Sequence, residues 1–452
     1  HKRSTFSGKL GFVLSAAGAS VGLGNIWRFP YLAAKYGGGI FLLVYIILAL
    51  TFGYTLIMAE TSLGRMTRKS PVGAFESFGN SHFISIGGWI NAIIPILIVP
   101  YYSVIGGWVI KYLIEYFAGH SKTLAGDAYF TTFISNGWST EICFIIFTLF
   151  TLGIIYAGVR NGIERVSRFM MPILIVLSLI IAVYSVTRPG AIEGVKYFLV
   201  PNFDHFSWMT VVSAMGQMFY SLSIAMGILI TFGSYMKKDT SIEKSTENVE
   251  IFDTAIAIMA GLMIIPAVFA FSGGNAETLK SGPALMFITI PKVFANMGFG
   301  TAIGIVFFLL VLFAAVTSSI ALTESAVSTF EDELHWSRKK STVFMGMVML
   351  LLGTLSCLGY GPLANFKILG MQFLDFFDFI TNSVMMPIAA IATCLLVSKV
   401  VGVDKIEEEI KKDGQAFRRK KIFCFMIKYL CPLFAAIILI SSVANAFGII
   451  TM

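Results

Sequence analysis

A glycine-rich run near the N-terminus contains residues that could bind ions. It reads Gly-Ala-Ser-Val-Gly-Leu-Gly-Asn-Ile-Trp-Arg-Phe-Pro from Gly18 to Pro30 and lies inside an apolar stretch. Glycines weaken a helix, and backbone groups freed within lipid must find other partners. Freed carbonyls suit a small cation, and the N–H groups that start the next half-helix suit a carboxylate. The run, with Asn25 and Arg28 in it, therefore predicts a binding site; the alternative is that its small residues only permit close helix packing.

A second apolar stretch is interrupted in a similar way. Small and polar residues occur there at Ser221, Ser223, Ala225 and Gly227. Paired interruptions in corresponding spans of two halves are typical of inverted-repeat transporters, whose site lies near the middle of the bilayer. These two segments therefore predict one shared site.

The composition indicates the kind of protein that must hold this site. Of 452 residues, 56% are hydrophobic and 13% are charged, where a soluble domain has about 25% charged residues. The mean hydropathy of +0.81 excludes a disordered chain as well as an ordinary soluble enzyme. The net charge of +8 comes from Lys and Arg in short loops, so we expect no nucleic-acid partner. A polytopic membrane protein remains.

Apolar runs predict eleven membrane spans, because about 20 residues cross a bilayer. The basic residues concentrate in alternate loops, which predicts a cytoplasmic N-terminus and an extracytoplasmic C-terminus in a cell membrane. The predicted spans are 10–34, 38–64, 84–117, 141–158, 164–187, 206–235, 244–271, 301–330, 342–360, 370–398 and 422–450. They group into a first repeat (1–187), a second repeat (206–398) with an external helical hairpin (276–297), a charged cytoplasmic loop (399–421) and an additional helix (422–452).

Other site types find little support. The five cysteines have no CxxC spacing, so neither a disulfide framework nor a zinc site is predicted. The chain has no H-x-x-E-H, G-x-S-x-G or phosphate-loop motif, so we do not expect an enzyme.

Several motifs taken together resemble the neurotransmitter:sodium symporter family, over spans one to ten and in order. The resemblance implies an all-α LeuT-type fold, a 5+5 inverted repeat with discontinuous helices 1 and 6 and eleven transmembrane helices. It is greatest to bacterial members that carry hydrophobic amino acids. The motifs are the Gly18–Pro30 run, Gly37-Gly-Gly39, Gly216-Gln-Met-Phe-Tyr-Ser-Leu-Ser223, Ser281-Gly-Pro-Ala-Leu-Met-Phe-Ile-Thr-Ile-Pro291, and Thr317-Ser-Ser319 upstream of Glu331-Asp-Glu333.

The resemblance implies two sodium sites. One ion is expected to be held by the Ser20 carbonyl, the Asn25 side chain, the Ser221 hydroxyl and the substrate carboxylate. Oxygens without formal charge suit a monovalent ion. The second ion is expected between spans one and eight, among the carbonyls of Gly18, Val21 and Ala314 and the hydroxyls of Thr317 and Ser318. The alternative for these two adjacent hydroxyls is that they only bond back to their own helix.

Gly22 suggests the substrate class. Family members that carry monoamines have an Asp at the matching position, so here the substrate is expected to bring its own carboxylate. That group would be held by the N–H groups of Leu23 and Gly24 and the Tyr102 hydroxyl. The ammonium would meet the carbonyls of Ser20, Phe219 and Ser221 and the Ser223 hydroxyl. A Met among apolar walls accepts varied side chains, although such stripes also occur in ordinary cores. The matching pocket is Ile98, Tyr102, Tyr220, Met226, Ser318 and Leu322.

An acidic residue inside span seven is a further candidate. Chloride-dependent family members bind the anion near a Tyr, a Gln and a Ser, matched here by Tyr45, Gln217 and Ser221. Other members supply an acid instead, which could be Asp253. Alternatively, Asp253 only favours the N-terminal half of its helix.

The resemblance also implies gates and a hinge. Arg28 would pair with Asp378, or nearer the surface with Asp375, beneath an aromatic lid formed by Tyr220. At the inner side Arg3 would pair with Asp332 above Phe6, although Arg3 also fits the ordinary bias of basic residues to the inside. A helix-5 hinge would lie at Gly162 and Pro172, which a static kink explains equally well.

The resulting hypothesis is a symporter that imports hydrophobic aliphatic and aromatic L-amino acids by alternating access, with two Na⁺ per substrate and no chloride requirement. Its expected partners are the amino acid, sodium ions and the lipid bilayer. The alternative is a sodium-dependent amino-acid sensor or ligand-gated conductance without obligatory transport. No ring of charges or carbonyls that would line a channel pore is visible in the sequence.

Overall fold

Long apolar helices make up most of the chain in a computed structural model, which describes residues 3–273 and 283–450. Those residues contain no β-strand. The helices of the first half are α1 Lys9–Ser20, α2 Leu23–Lys35, α3 Gly39–Thr67, α4 Pro71–Glu76, α5 His82–Phe117, α6 Ser121–Leu124, α7 Tyr129–Ser135, α8 Gly137–Tyr156, α9 Val159–Val186 and α10 Ile192–Leu199.

The second half follows the same plan. Two 3₁₀ turns, Phe203–His205 and Lys412–Gly414, complete the helical structure among the described residues. The helices are α11 Trp208–Ser221, α12 Ile228–Ser234, α13 Ile242–Ser272, α14 Leu285–Ala295, α15 Gly300–Leu334, α16 Arg338–Leu358, α17 Phe373–Val401, α18 Val403–Ile410 and α19 Lys420–Ala446.

Nine helices in the described ranges are long and apolar enough to cross a membrane by themselves: α3, α5, α8, α9, α13, α15, α16, α17 and α19. The pair α1–α2 passes the same test together and bends by 60° at its break. An eleventh span requires α11 and α12 to be counted as one crossing, because each is short. The predicted number of eleven therefore stays a prediction.

Two predicted helix discontinuities are confirmed. The first span breaks at Val21 and Gly22, within the glycine-rich run. The sixth breaks between α11 and α12, where Ser223, Ala225 and Gly227 have positive φ values of 56°, 64° and 76°. A positive φ is strained for residues other than glycine, so the surrounding structure must hold this link in place.

The connecting segments differ in part from the sequence prediction. Residues 274–282, which include the start of the expected hairpin, lie outside the described residues, and α14 occupies most of the remainder. The expected loop 399–421 contains a helix, α18, whose Val403, Ile406 and Ile410 are buried. This segment packs because its apolar residues fall on one helical face. The repeat and domain boundaries stay predictions.

The broken helices lie among long ones. Helix α1 contacts α9, α13 and α15, and α12 packs along α3. At that crossing a Cβ on Gly233 would meet the backbone of Thr61, so the two helices approach too closely for a side chain. The fold thereby places both breaks next to α3, α13 and α15.

Candidate functional site

The break in the first span leaves its helical hydrogen bonding incomplete. The N–H of Gly22 donates to the Ser20 carbonyl at 3.1 Å, and the N–H of Asn25 donates to the Gly22 carbonyl at 3.2 Å. The N–H of Leu23 donates to the Tyr102 hydroxyl at 3.2 Å. The start of α2 therefore presents donors, and the end of α1 presents carbonyl oxygens, at one point.

The two breaks are joined directly. The Ser223 hydroxyl, in the α11–α12 link, donates to the Ala19 carbonyl at 2.8 Å. The backbone N–H of Ala225 donates to both oxygens of Glu60, at 3.1 and 3.3 Å. The sequence interpretation missed Glu60, which is buried in α3. It could have been found as a lone acidic residue within an apolar span.

The residues of the predicted second sodium site come together between α1 and α15. The Ser318 hydroxyl lies 3.1 Å from the Gly18 carbonyl oxygen and 3.3 Å from that of Val21. The Thr317 hydroxyl bonds back to its own helix, α15, at the carbonyl oxygens of Phe313 (3.0 Å) and Ala314 (3.2 Å). The group offers only neutral oxygens, which suits a monovalent cation.

The residues of the predicted first sodium site surround a buried carboxylate. The Tyr45 hydroxyl donates to one oxygen of Asp253 at 2.5 Å, and the Ser221 hydroxyl donates to the other. The Asn25 amide nitrogen lies 3.5 Å from the same oxygen as Ser221. Asp253 is fully buried, and its position on α13 places a carboxyl group beside two predicted ion ligands, Asn25 and Ser221.

In the part of the chain that the structure describes, Gln217 makes no hydrogen bond to this cluster. It is buried, and its amide nitrogen and oxygen have no hydrogen-bond partner among the described residues. The structure thus brings Asp253 together with Tyr45 and Ser221 but does not connect it to Gln217. The proposed chloride-substituting role of this set stays a prediction.

A cavity of about 420 Å³ lies at the two breaks, within the usual size of small-molecule sites. Apolar side chains form much of its wall, and the helix-break backbone supplies polar groups. Two predicted substrate contacts, Phe219 and Ser221, are buried but do not line it. The predicted substrate residues that line the cavity are Ser20, Leu23, Gly24, Ile98, Tyr102, Tyr220, Ser223, Met226, Ser318 and Leu322.

The expected ion pair between Arg28 and Asp378 is not formed in the described structure. The Arg28 guanidinium lies over the Tyr220 ring, 4.1 Å from its centre, which is a cation–π geometry. Asp378 accepts instead from the Tyr101 hydroxyl at 3.1 Å and from Asn382. Both charged residues line the cavity, which therefore extends between them. Their pairing in another conformation stays a prediction.

At the opposite end Arg3 and Asp332 are in contact. The guanidinium donates to the carboxylate at 2.5 and 2.6 Å and also bonds to the hydroxyls of Ser234 and Ser328. Burial acts to lower the pKa of Arg3, but Tyr235 and Asp332 raise it overall. The two residues predicted to form the inner gate are therefore paired, and their gating role stays a prediction.

Phe6 lies directly behind this ion pair. Its ring packs edge-on against Phe12, Phe232 and Tyr235, with ring centres 5.5 to 6.0 Å apart. The predicted hinge residues lie on α9. Gly162 is within a π-helical turn, Val159–Glu164, and Pro172 is inside the α-helix that follows. The hinge role stays a prediction.

Comparisons with known proteins agree with this geometry. A model of the sodium:neurotransmitter symporter family matches residues 3–150 and 134–449. An uncharacterised sodium-dependent transporter of Bacillus subtilis is 33% identical over 449 residues, which cover 99% of this chain and 98% of the relative. Another, from Haemophilus influenzae, is 31% identical over 98% of each chain.

A solved structure is similar over nearly the whole chain. The crystal structure of MhsT in complex with L-phenylalanine matches with a TM-score of 0.86 and 34% identity, covering 98% of this chain and 100% of that chain.

Proposed function

The chain belongs to the sodium:neurotransmitter symporter family, a family of transporters, and from this premise we propose that it imports hydrophobic L-amino acids with two sodium ions per substrate. The observation that carries the proposal is the cavity at the two helix breaks. The oxygen atoms of the two predicted sodium sites lie on either side of it. Carbonyl oxygens for a cation and amide donors for a carboxylate meet there.

The substrate class is argued from Gly22 and the cavity walls. Gly22 brings no charge, so the carboxylate that meets the α2 donors must come from the ligand. The Tyr102 hydroxyl lies at the same point. Ile98, Met226 and Leu322 supply an apolar wall that accepts side chains of different shape. The amino acid bound to MhsT is of this class, which supports the proposal.

The two ions would occupy unlike sites. At the first, Asp253 would add a negative charge to the oxygens of Ser20, Asn25 and Ser221. At the second, only neutral oxygens from α1 and α15 are available. Because a fixed carboxylate already balances the ions, we propose that chloride is not required.

The pairing at the two predicted gates indicates which state of the transport cycle the structure represents. The ion pair of Arg3 and Asp332 closes one end, while the cavity extends past Asp378 and Asp375 at the other. The concentration of basic residues in alternate loops favours a cytoplasmic location for the closed end. The structure then corresponds to a carrier ready to receive substrate from outside, and alternating access would follow from exchanging the two gates.

Uptake into proteoliposomes tests the proposal. Labelled Leu, Phe, Trp, Tyr and Met, with Glu and Lys as charged controls, are offered with an inward sodium gradient or with choline in its place. We expect the hydrophobic amino acids to be taken up only with sodium, and equally well when gluconate replaces chloride. Uptake that needs chloride would contradict the ion assignment, and no sodium-dependent uptake of any amino acid would contradict the function.

Counterflow separates a carrier from a sensor or conductance. Vesicles preloaded with unlabelled amino acid should take up labelled amino acid faster, because an alternating-access carrier exchanges its substrate. Sodium-dependent binding without such acceleration would support the sensor alternative and contradict ours.

A further inference from the structure

A buried carboxylate at the start of α9 holds the N-terminal end of α1. We propose that Glu164 is a positioning residue for transport: it fixes this half-helix in the inner-closed state and transmits its movement to the first turn of α9. The inference rests on the proposed function and adds to it a residue that touches neither substrate nor ion.

Glu164 bonds to the segment that leads into α1. Only 4% of Glu164 is exposed. One of its oxygens accepts from the backbone N–H of Ser7 at 2.9 Å and from the Ser7 hydroxyl at 2.8 Å. The Ser7 hydroxyl accepts in turn from Arg168 at 2.9 Å. Hydrogen bonds to a buried carboxylate are stronger than those between neutral groups, so this contact resists separation.

Gly11 makes room for the carboxylate. A Cβ at this position in α1 would overlap the same Glu164 oxygen that binds Ser7. The contact therefore depends on two features, an acid on α9 and a missing side chain on α1. Such close backbone approach is a usual reason for glycine inside a helix.

The segment before α1, residues 3–8, is tied at two points, and we name it the N-terminal strap. At one point Arg3 binds Asp332 on α15. At the other Glu164 binds Ser7, and Arg160 donates to the Thr5 carbonyl at 2.9 Å. The inner gate is thus anchored to α9 as well as to α15.

The part of α9 that receives the strap is easily rearranged. It is the π-helical turn Val159–Glu164, and it follows Gly158, whose φ is 102°. The N–H groups of Gly162 and Ile163 share the Gly158 carbonyl as acceptor. π-Helical turns are frequent at functional sites. If α1 tilts to open the inner end, it must either break the Ser7 bonds or draw this turn with it, and the strength of those bonds favours the second course.

The test compares variants of both partners. Purified wild-type protein, Glu164→Ala, Glu164→Gln, Gly11→Ala and the Glu164→Ala/Gly11→Ala double variant are measured for sodium-dependent binding of labelled L-phenylalanine. Hydrogen–deuterium exchange is followed in residues 7–14 and 159–166. Glu193→Ala is the matched control, because Glu193 is an exposed acid on α10 whose nearest basic partner, Lys196, lies 4.0 Å away.

We expect Glu164→Ala to raise the half-saturating sodium concentration about tenfold and to speed exchange in 7–14, because without the contact α1 can tilt without distorting the first turn of α9, which shifts the population away from the inner-closed state. Glu164→Gln retains an acceptor oxygen and should stay within about threefold of wild type. Gly11→Ala should act like Glu164→Ala, and the double variant should be no worse than Glu164→Ala alone. The control should match wild type.

Two results would overturn the inference while leaving the proposed function in place. One is wild-type sodium dependence and exchange in both Glu164→Ala and Gly11→Ala. The other is additive effects in the double variant, since independent sites add. If wild-type protein shows no sodium-dependent binding of any amino acid, the proposed function fails, and the exchange measurements still report whether Glu164 holds α1.

Discussion

At the scale of single residues, the type of side chain at the first helix break decides what the site can bind. Gly22 leaves room at the start of α2: a Cβ there would lie 2.8 Å from the Ser318 hydroxyl oxygen and 3.1 Å from that of Tyr102. The absence of a side chain thus keeps the α2 donors open to a carboxylate from the ligand.

A carboxylate placed at this position should therefore exclude the substrate. We expect Gly22→Asp to abolish sodium-dependent amino-acid uptake, because its charge would occupy the donors and repel a second carboxylate. Gly22→Asn has nearly the same size without the charge, so it separates crowding from repulsion. We expect phenylalanine binding to be at least about tenfold weaker in the Asp variant than in the Asn variant, or about 1.4 kcal/mol. Normal uptake by Gly22→Asp would refute the argument on ligand class.

The ion ligands can be tested separately from the fold. We expect Asn25→Ala and Thr317→Val to raise the sodium concentration for half-maximal binding by about tenfold each, since each removes one coordinating oxygen. Thr323→Val is the control: Thr323 is also buried on α15 and its hydroxyl likewise bonds back to its own helix, at Ser319, but it belongs to neither predicted ion site. Thermal unfolding should show that all three variants are folded. Unchanged sodium dependence in both site variants would remove the basis for the ion sites.

Residue types in the sequence were sufficient to bring out the residues near the breaks, since Asn25 and Ser221 lie at the breaks and Ser318 on α15 contacts the end of α1. Contacts that depend on the tertiary fold were not predictable in this way. Glu60 meets Ala225 across 165 positions, and Arg28 lies on Tyr220 and not on a carboxylate. No local pattern records such pairings.

At the scale of elements, apolar periodicity placed the long helices well because a bilayer crossing needs a long unbroken apolar run. Breaks were visible from clustered glycine and serine. The helix α18 was not predicted, since the high charge of its segment concealed three buried apolar residues on one face. The basic residues of this segment bear on membrane orientation, whereas the apolar face of α18 explains its packing.

The link between α11 and α12 depends on a left-handed backbone conformation at Gly227, which glycine adopts without strain. Its φ is 76°, and a Cβ there would lie 2.8 Å from the Asn91 carbonyl oxygen. We expect Gly227→Ala to lower both the thermal unfolding midpoint and phenylalanine affinity, because left-handed backbone costs an alanine about 1–2 kcal/mol and the clash adds to it. Gly273→Ala is a matched control, with φ 70° and no atom within 4 Å of its Cβ. Equal behaviour of the two variants would show that the link tolerates a side chain.

At the scale of the whole molecule, the proposed symport couples two sodium ions, both moving down the same gradient, to one amino acid. Each sodium ion crossing about 100 mV releases about 2.3 kcal/mol, and a tenfold concentration gradient adds about 1.4 kcal/mol. Two ions thus provide about 7.4 kcal/mol, enough for about a 10⁵-fold amino-acid gradient at full coupling. A sensor or conductance would not couple the amino-acid gradient to the sodium gradient in this way.

The gates provide the corresponding structural argument. Arg3 and Asp332 are paired at one end, while Arg28 and Asp378 at the other end are not paired among the described residues. A carrier must never open both ends, so the unequal gates are what alternating access requires in one of its states.

The most direct measurement is the steady-state amino-acid gradient in proteoliposomes held at zero membrane potential under a fixed tenfold inward sodium gradient. With two sodium ions per substrate, the amino acid should accumulate to about the square of the ion gradient, or about 100-fold inside over outside. Accumulation of only about tenfold would indicate one coupled ion, and equal concentrations on both sides would contradict symport altogether.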